Sequence, residues 1–194
     1  MPKRIAIIQG HPDPAGGHLC HALAEAYEEG ARAAGHDVAH IAVARIDFAW
    51  LRTQQEFESG ELPASLVPAR DAIVAAEHLV IVFPLWLGTM PAVVKAFFEQ
   101  VMRPGIAFAY QEQGFPRRLL AGRSARLVVT MGMPAFLYRW YFGGHGLRGL
   151  ERSILRFTGI RPVRETLFGM VGSVGEARRR RWLERMRAYG RRAA

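Results

Sequence analysis

Continuous apolar, β-branched runs alternating with stretches of helical spacing set the framework of this chain. Four runs read as strands covered on both faces: Arg4 to Gln9, Asp37 to Val43, His78 to Phe83 and Arg126 to Thr130. A fifth, Arg161 to Met170, is more polar and is expected at a sheet edge. Between them, helical patterns are predicted over Leu19 to Ala34, Pro68 to Glu77, Pro91 to Arg103, Leu147 to Gly159 and Gly175 to Gly190. In the third, the buried stripe is Val94, Phe97, Phe98 and Val101, and Pro91 suits a first helical turn. Strict alternation of strand and helix predicts a parallel, doubly wound sheet.

The irregular segments then carry most of the functional information, because loops on a rigid scaffold hold sites. They span 10–18, 84–90, 104–122 and 131–146, and all but the third directly follow a predicted strand. In a parallel sheet those strand ends share one edge, so three loops could converge on one ligand. The second joins a buried strand to a helix through Phe83-Pro84-Leu85-Trp86-Leu87-Gly88-Thr89-Met90-Pro91-Ala92. Trp86 there is either a packed aromatic or a ligand contact.

The first loop, Gly10-His11-Pro12-Asp13-Pro14-Ala15-Gly16-Gly17-His18, lets backbone amides approach an anion beside a helix amino end. A phosphate suits it, with His11 and His18 as added donors. Its spacing is neither the dinucleotide fingerprint nor the P-loop, and a plain turn with a capping histidine fits equally well. The fourth loop runs from Thr130-Met131-Gly132-Met133-Pro134 through Tyr138, Trp140, Tyr141 and Phe142 to Gly143-Gly144-His145-Gly146. That combination suits a flat aromatic ligand with a donor near developing charge, or else aromatics packed beneath a loop or in a subunit contact.

Composition narrows the class. With 194 residues, half of them apolar, one domain over 1–194 is expected. Pro84, Gly88 and Pro91 break the most apolar stretch, so no bilayer-crossing segment is expected. The start, Met-Pro-Lys-Arg-Ile, runs straight into a strand, leaving no room for a signal peptide; a cytoplasmic protein follows. Cys20 is the sole cysteine, which excludes an intrachain disulfide or cysteine-based zinc cage, and no metal site is expected. The net charge is +9, and residues 176–194 hold eight arginines against Glu176 and Glu184. This basic C-terminal helix could meet nucleic acid or an anionic surface, but Trp182, Leu183, Met186 and Tyr189 supply a stripe to bury. A basic tail without base-reading elements is only an electrostatic footprint, so no nucleic-acid partner is expected.

Taken in order, these residues resemble the flavodoxin-like family of NAD(P)H dehydrogenases (quinone), which includes quinone reductases, modulators of drug activity and ancillary subunits of potassium efflux systems. The resemblance spans the first strand to about Val171. It rests on His11-Pro12, on Phe83-Pro84-Leu85-Trp86 with Met90-Pro91-Ala92 and Lys95, and on Gly105 to Tyr110. Leu120-Ala121-Gly122-Arg123, His145 and Phe157-Thr158-Gly159-Ile160 complete the set. It implies an α/β, three-layer, five-stranded sheet of order 2-1-3-4-5 and a bound FMN or FAD. His11, Gly16, Gly17 and His18 would surround the flavin phosphate. Pro84, Leu85, Trp86 and Leu87 would border the ring system, with Thr130, Met131 and Gly132 along its other edge. His145 would help stabilise negative charge on the flavin, with Tyr138 or Tyr141 as its tyrosine partner. The family's usual homodimer would bring Phe108 and Tyr110 to the partner's pocket.

Three positions depart from the pattern: Gly16 replaces a hydroxyl residue, the tyrosine match is split between Tyr138 and Tyr141, and Met133 replaces a glycine. The resemblance implies a ping-pong oxidoreductase that takes electrons from NAD(P)H and passes them to a quinone or similar flat acceptor. The alternatives are a flavoprotein regulatory subunit of a membrane transporter, to which the basic tail would lend itself, and a single-electron carrier.

Overall fold

Alternate residues of the central strand belong to two separate cores. Leu79, Ile81 and Phe83 join Ala6, Ile8, Leu127 and Val129 on one face. Val80 and Val82 join Ile5, Ile7 and Val128 on the other. This is the signature of a sheet covered on both sides. The computed structural model describes residues 1–194.

The strands are β1 (Arg4–Gln9), β2 (Asp37–Ala42), β3 (His78–Pro84), β4 (Phe108–Ala109), β5 (Arg117–Arg118), β6 (Ser124–Thr130) and β7 (Val163–Phe168). Five form one parallel sheet in the order β2-β1-β3-β6-β7, the 2-1-3-4-5 order expected of a flavodoxin-like fold; β4 and β5 make a separate antiparallel ribbon. Register runs straight across: Ile7 sits opposite His40 and Val80, and Val80 opposite Arg126. The helices are α1 (Leu19–Ala33), α2 (Gln54–Ser59), α3 (Val67–Ala75), α4 (Ala92–Val101), α5 (Ala135–Trp140), α6 (His145–Gly149) and α7 (Glu176–Arg192). A π-helical segment, Leu150–Arg156, continues α6.

The basic tail is a layer of this fold. Trp182, Met186 and Gly190 are the buried positions of α7, and its arginines face outward. It lies on α1 with backbone against backbone. A Cβ at Gly30 would stand 2.1 Å from the Arg187 carbonyl oxygen, and one at Gly190 would stand 2.0 Å from that of Tyr27. Arg187 closes the contact by donating from Nε to Glu29 at 2.6 Å.

Several boundaries differ from the sequence reading. The fourth strand of the sheet starts at Ser124, whose hydroxyl pairs with the Nδ1 atom of buried His78 at 2.7 Å. The last strand is shorter than Arg161 to Met170, because Met170 turns into the left-handed region with φ 61°. Within 131–146, read as a loop, α5 forms, and the following helix begins at His145 instead of Leu147. The unforeseen α2 has no buried residue; the Thr53 side chain caps it by accepting from the Glu56 amide at 3.1 Å.

Replacing Gly30 or Gly190 with alanine should push α7 off α1. Overpacking of about 1–3 kcal/mol outweighs the gain of about 1 kcal/mol in helix propensity. Urea unfolding of Gly30→Ala and Gly190→Ala should therefore show net destabilisation, and unchanged midpoints would contradict this packing.

Candidate functional site

Three loops leave the carboxyl edge of the sheet from strands that remain hydrogen-bonded to the last residue. The Gly10 amide donates to the Val82 carbonyl at 2.7 Å, that of Leu85 to Thr130 at 2.8 Å, and that of Met131 to Phe168 at 2.9 Å. The loops after β1, β3 and β6 thus start from a fixed platform.

After β3 the chain makes a two-residue hairpin. The Trp86 amide bonds the Thr89 carbonyl at 2.9 Å and the Thr89 amide returns to that of Trp86 at 3.0 Å. Leu87 (φ 47°) and Gly88 (φ 80°) both have positive φ, the type I′ pattern. A leucine held there costs about 1–2 kcal/mol, yet its side chain is fully exposed. Trp86 is half exposed beside it, and Pro84 and Leu85 are partly buried at the root.

Tyr138 ties this turn to the start of α6. Its buried hydroxyl donates to the Gly88 carbonyl at 2.9 Å and accepts from the Leu147 amide at 3.3 Å. Burial raises its pKa above the ordinary phenol value. Gly146 allows the close approach, since a Cβ there would stand 2.3 Å from the Gly88 carbonyl oxygen. Of the two candidate tyrosines, Tyr138 is therefore a positioning group, whereas Tyr141 is exposed and stacks edge-on against Phe142. Gly143 and Gly144, both left-handed, lead into His145 in the first helical turn. His145 borders a cavity of about 390 Å³ with Thr89, Met90, Lys95, Gly149 and Ser153. Lys95 was part of the resemblance but carried no role; its ammonium is paired with Glu99 one turn on.

Opposite stands the loop after β1. His11 and His18 stack at 3.9 Å between ring centroids, with His21 at 5.2 Å from His11. Asp13 organises the turn: its carboxylate bonds His18 Nε2 at 2.7 Å and the Ala15 amide at 2.9 Å, and its own amide donates to His11 Nδ1 at 3.2 Å. Gly16 and Gly17 have positive φ and open space where a side chain would be. No side chain caps α1 and no acid occupies its first turn, so the Leu19 and Cys20 amides are free for an anion, that of His21 returning to the His18 carbonyl at 3.0 Å. Burial, with the neighbouring His18 and His21, lowers the His11 pKa to about 4. His21 is lowered too, mainly by burial.

The third side is built differently from the expectation. Thr130 is buried, its hydroxyl within 3.1 Å of the Cys20 thiol, and Met131 is buried as well. Both side chains are turned into the core and the Met131 amide is bound to Phe168, which leaves the open Gly132 on this side. Burial pushes the Cys20 thiol up to about 12, so the cysteine is inert packing. Phe108 is also buried, edge-on to Phe157 at 4.9 Å and to Tyr110 at 5.4 Å. Only Tyr110 of that pair stands free.

A family model described as a flavodoxin-like fold matches residues 3–190. The chain belongs to this family. Over 100 residues it is 35% identical to an FMN-dependent NADH:quinone oxidoreductase 1 of Jannaschia sp., covering 47% of this chain and 50% of that protein. Over 132 residues it is 26% identical to an uncharacterized NAD(P)H oxidoreductase of Haemophilus influenzae, covering 67% and 64% respectively. The chain thus spans about half to two thirds of the length of these relatives. Among solved structures, the NAD(P)H:quinone oxidoreductase from Methanothermobacter marburgensis superposes with TM-score 0.81 at 23% identity, over 98% of this chain and 96% of that one. An FMN-dependent NADH-azoreductase from Bacillus anthracis, in complex with FMN, does so with TM-score 0.75 at 17% identity over 100% of both chains. These superpositions establish the fold.

Two outcomes follow. Tyr138→Phe should cost about 1–2 kcal/mol in urea unfolding, because it strips the Gly88 carbonyl and the Leu147 amide of their shared partner. In the folded protein His11 and His78 stay neutral, burial lowering the latter to about 3, while the unfolded chain protonates both near 6.5. Their stabilisation is complete above pH 6.5 and is lost as the pH falls, down to about 4 for His11 and about 3 for His78. Unfolding measured between pH 7.5 and 4 should show that loss, with a shallower slope in His78→Leu.

Proposed function

We propose that the protein is a flavin-dependent NAD(P)H oxidoreductase that reduces quinones or similar flat acceptors, with FMN as its cofactor. The observation that carries this reading is the convergence at one sheet edge of the free α1 amino end, the Trp86–Thr89 hairpin and His145, with Tyr138 tying the hairpin to α6. The fit to FMN is chemical. Uncapped amides with open Gly16 and Gly17 suit a phosphate, and the exposed indole and open Gly132 suit a planar ring. Relatives named as FMN-dependent NADH:quinone oxidoreductases support the same cofactor and donor.

A bound flavin supplies the capacity to accept two electrons from a nicotinamide and release them to an acceptor. The chain's part is binding and electrostatics. The α1 amides and the His11–His18 pair hold the phosphate. The hairpin and the loop after β6 present backbone groups along the ring, and Trp86 limits water at its edge. His145, in the first turn of α6, offers a donor where negative charge develops. Tyr138 holds the turn against α6 so that these groups keep their spacing.

In this reading the protein is cytoplasmic and homodimeric. No helix is long and apolar enough to cross a membrane. Exposed Tyr110, Trp140 and Tyr141 supply aromatic surface for a second copy, with Tyr110 reaching over the partner's site. The reductase reading is preferred to a transporter subunit, because α7, the segment thought suited to such a partner, is packed on α1 as part of the fold. Deleting 176–194 would expose that core, so it is no test of partner binding.

The protein incubated with FMN and gel-filtered should keep its visible absorption, bleach under anaerobic NADH or NADPH, and recolour with menadione. Failure to retain flavin, or retention without bleaching, would overturn the proposal. His145→Ala should keep its flavin and lose about 10²–10³-fold in turnover; full turnover would remove His145 from the mechanism.

A further inference from the structure

The opposite end of the sheet carries a second concavity that the oxidoreductase reading leaves unused. Arg161 lies at the amino end of β7, and Arg118, the last residue of β5, leads into β6, whose carboxyl end borders the candidate flavin site. Together with Arg152 and Arg156 of the π-helical segment they surround a cavity of about 770 Å³, completed by Phe115, Phe157 and Pro162.

The walls are built by the backbone. The Leu120 amide donates to the Thr158 carbonyl at 3.1 Å, and the Arg161 amide to that of Arg123 at 2.8 Å. Gly159, at φ 103°, lets β5 and the chain after it come close, since a Cβ there would stand 2.9 Å from the Ala121 nitrogen and 3.0 Å from Arg118 Cβ. The helix end does not explain the arginines. Its last carbonyls are taken: Leu155 by the Ile160 amide at 2.9 Å, Arg156 by that of Gly159 at 3.2 Å. Arg156 pairs with Glu151 at 2.6 Å, five residues back, the spacing a π-helix superposes. Arg118, Arg152 and Arg161 have no carboxylate partner, so the cavity keeps a concentrated positive charge. At its rim Phe115 is 92% exposed, a placement no core contact requires, while Phe157 packs edge-on against buried Phe108 and also lines the cavity.

Guanidinium groups recognise phosphate through paired donors, and exposed phenyl rings accept a base by stacking. The volume suits a small ligand. A nucleic acid strand would call for an extended groove. We propose that this cavity is a second ligand site, separate from the flavin site, which binds a nucleotide carrying two or more phosphates. The proposal does not depend on the flavin reading.

The test is isothermal titration of the full chain, pre-incubated with FMN, using ATP, tripolyphosphate and a single-stranded RNA oligomer. Arg118→Glu/Arg152→Glu should weaken ATP binding at least tenfold while leaving the melting temperature unchanged, both side chains being exposed. Phe115→Ala should weaken ATP about fivefold or more and leave tripolyphosphate unaffected. ATP binding unchanged by the double substitution would overturn the site. Equal affinity for ATP and tripolyphosphate, indifferent to Phe115, would reduce it to an anion patch and overturn the nucleotide assignment. RNA binding tighter than ATP at equal nucleotide concentration would overturn it in favour of a nucleic acid surface.

Discussion

A parallel sheet has no face it can leave in water, and this requirement governs the molecule. Covering both faces needs a helix between successive parallel strands, and the crossovers then return every strand in the same direction. All the strand-ending loops fall on one edge as a result. The site is a by-product of that direction: Gly10, Leu85 and Met131 begin their loops side by side because their amides are bound to carbonyls of neighbouring strand ends. The same requirement accounts for α7. Its composition is dominated by arginine, yet the positions facing α1 are Trp182, Met186 and glycine, and at the glycines the two backbones touch.

Within the site, one hydroxyl organises more than any charged group. Tyr138 bridges a carbonyl of the hairpin and an amide of α6, two segments more than fifty residues apart in sequence. Histidines contribute in the opposite sense. Crowding and burial keep His11 neutral, so the cradle at α1 attracts anions chiefly through its free amides.

The central strands were legible as apolar runs, and the order followed once the motifs around His11, Trp86 and His145 were joined; β2, read as buried on both faces, is an edge strand with Asp37, Ala39 and His40 exposed. What escaped was whatever depends on tertiary contact. Gln54–Ser59 has no fully buried residue, only Phe57 packing partly against the core, and so carries no periodic signal. Ala135–Trp140 was hidden in an aromatic stretch that reads as loop. Thr130 sits where a ligand contact belongs, but its hydroxyl turns inward to Cys20, a pairing across 110 positions that no spacing reveals. Phe108 likewise looked like a surface aromatic and is held within the core by Phe157. Tyr138 and Tyr141 differ only in tertiary contact: Tyr138 is buried and bonded to Gly88 and Leu147, whereas Tyr141 is exposed.

The hairpin at Trp86–Thr89 has a thermodynamic meaning beyond its shape. Its two central residues occupy a narrow region of backbone space, its hydrogen bonds are closed, and its carbonyl is already held by Tyr138. The conformational freedom of this segment is surrendered when the chain folds. A planar guest arriving beside the indole meets a loop with little motion left to lose, so more of its contact energy survives as affinity.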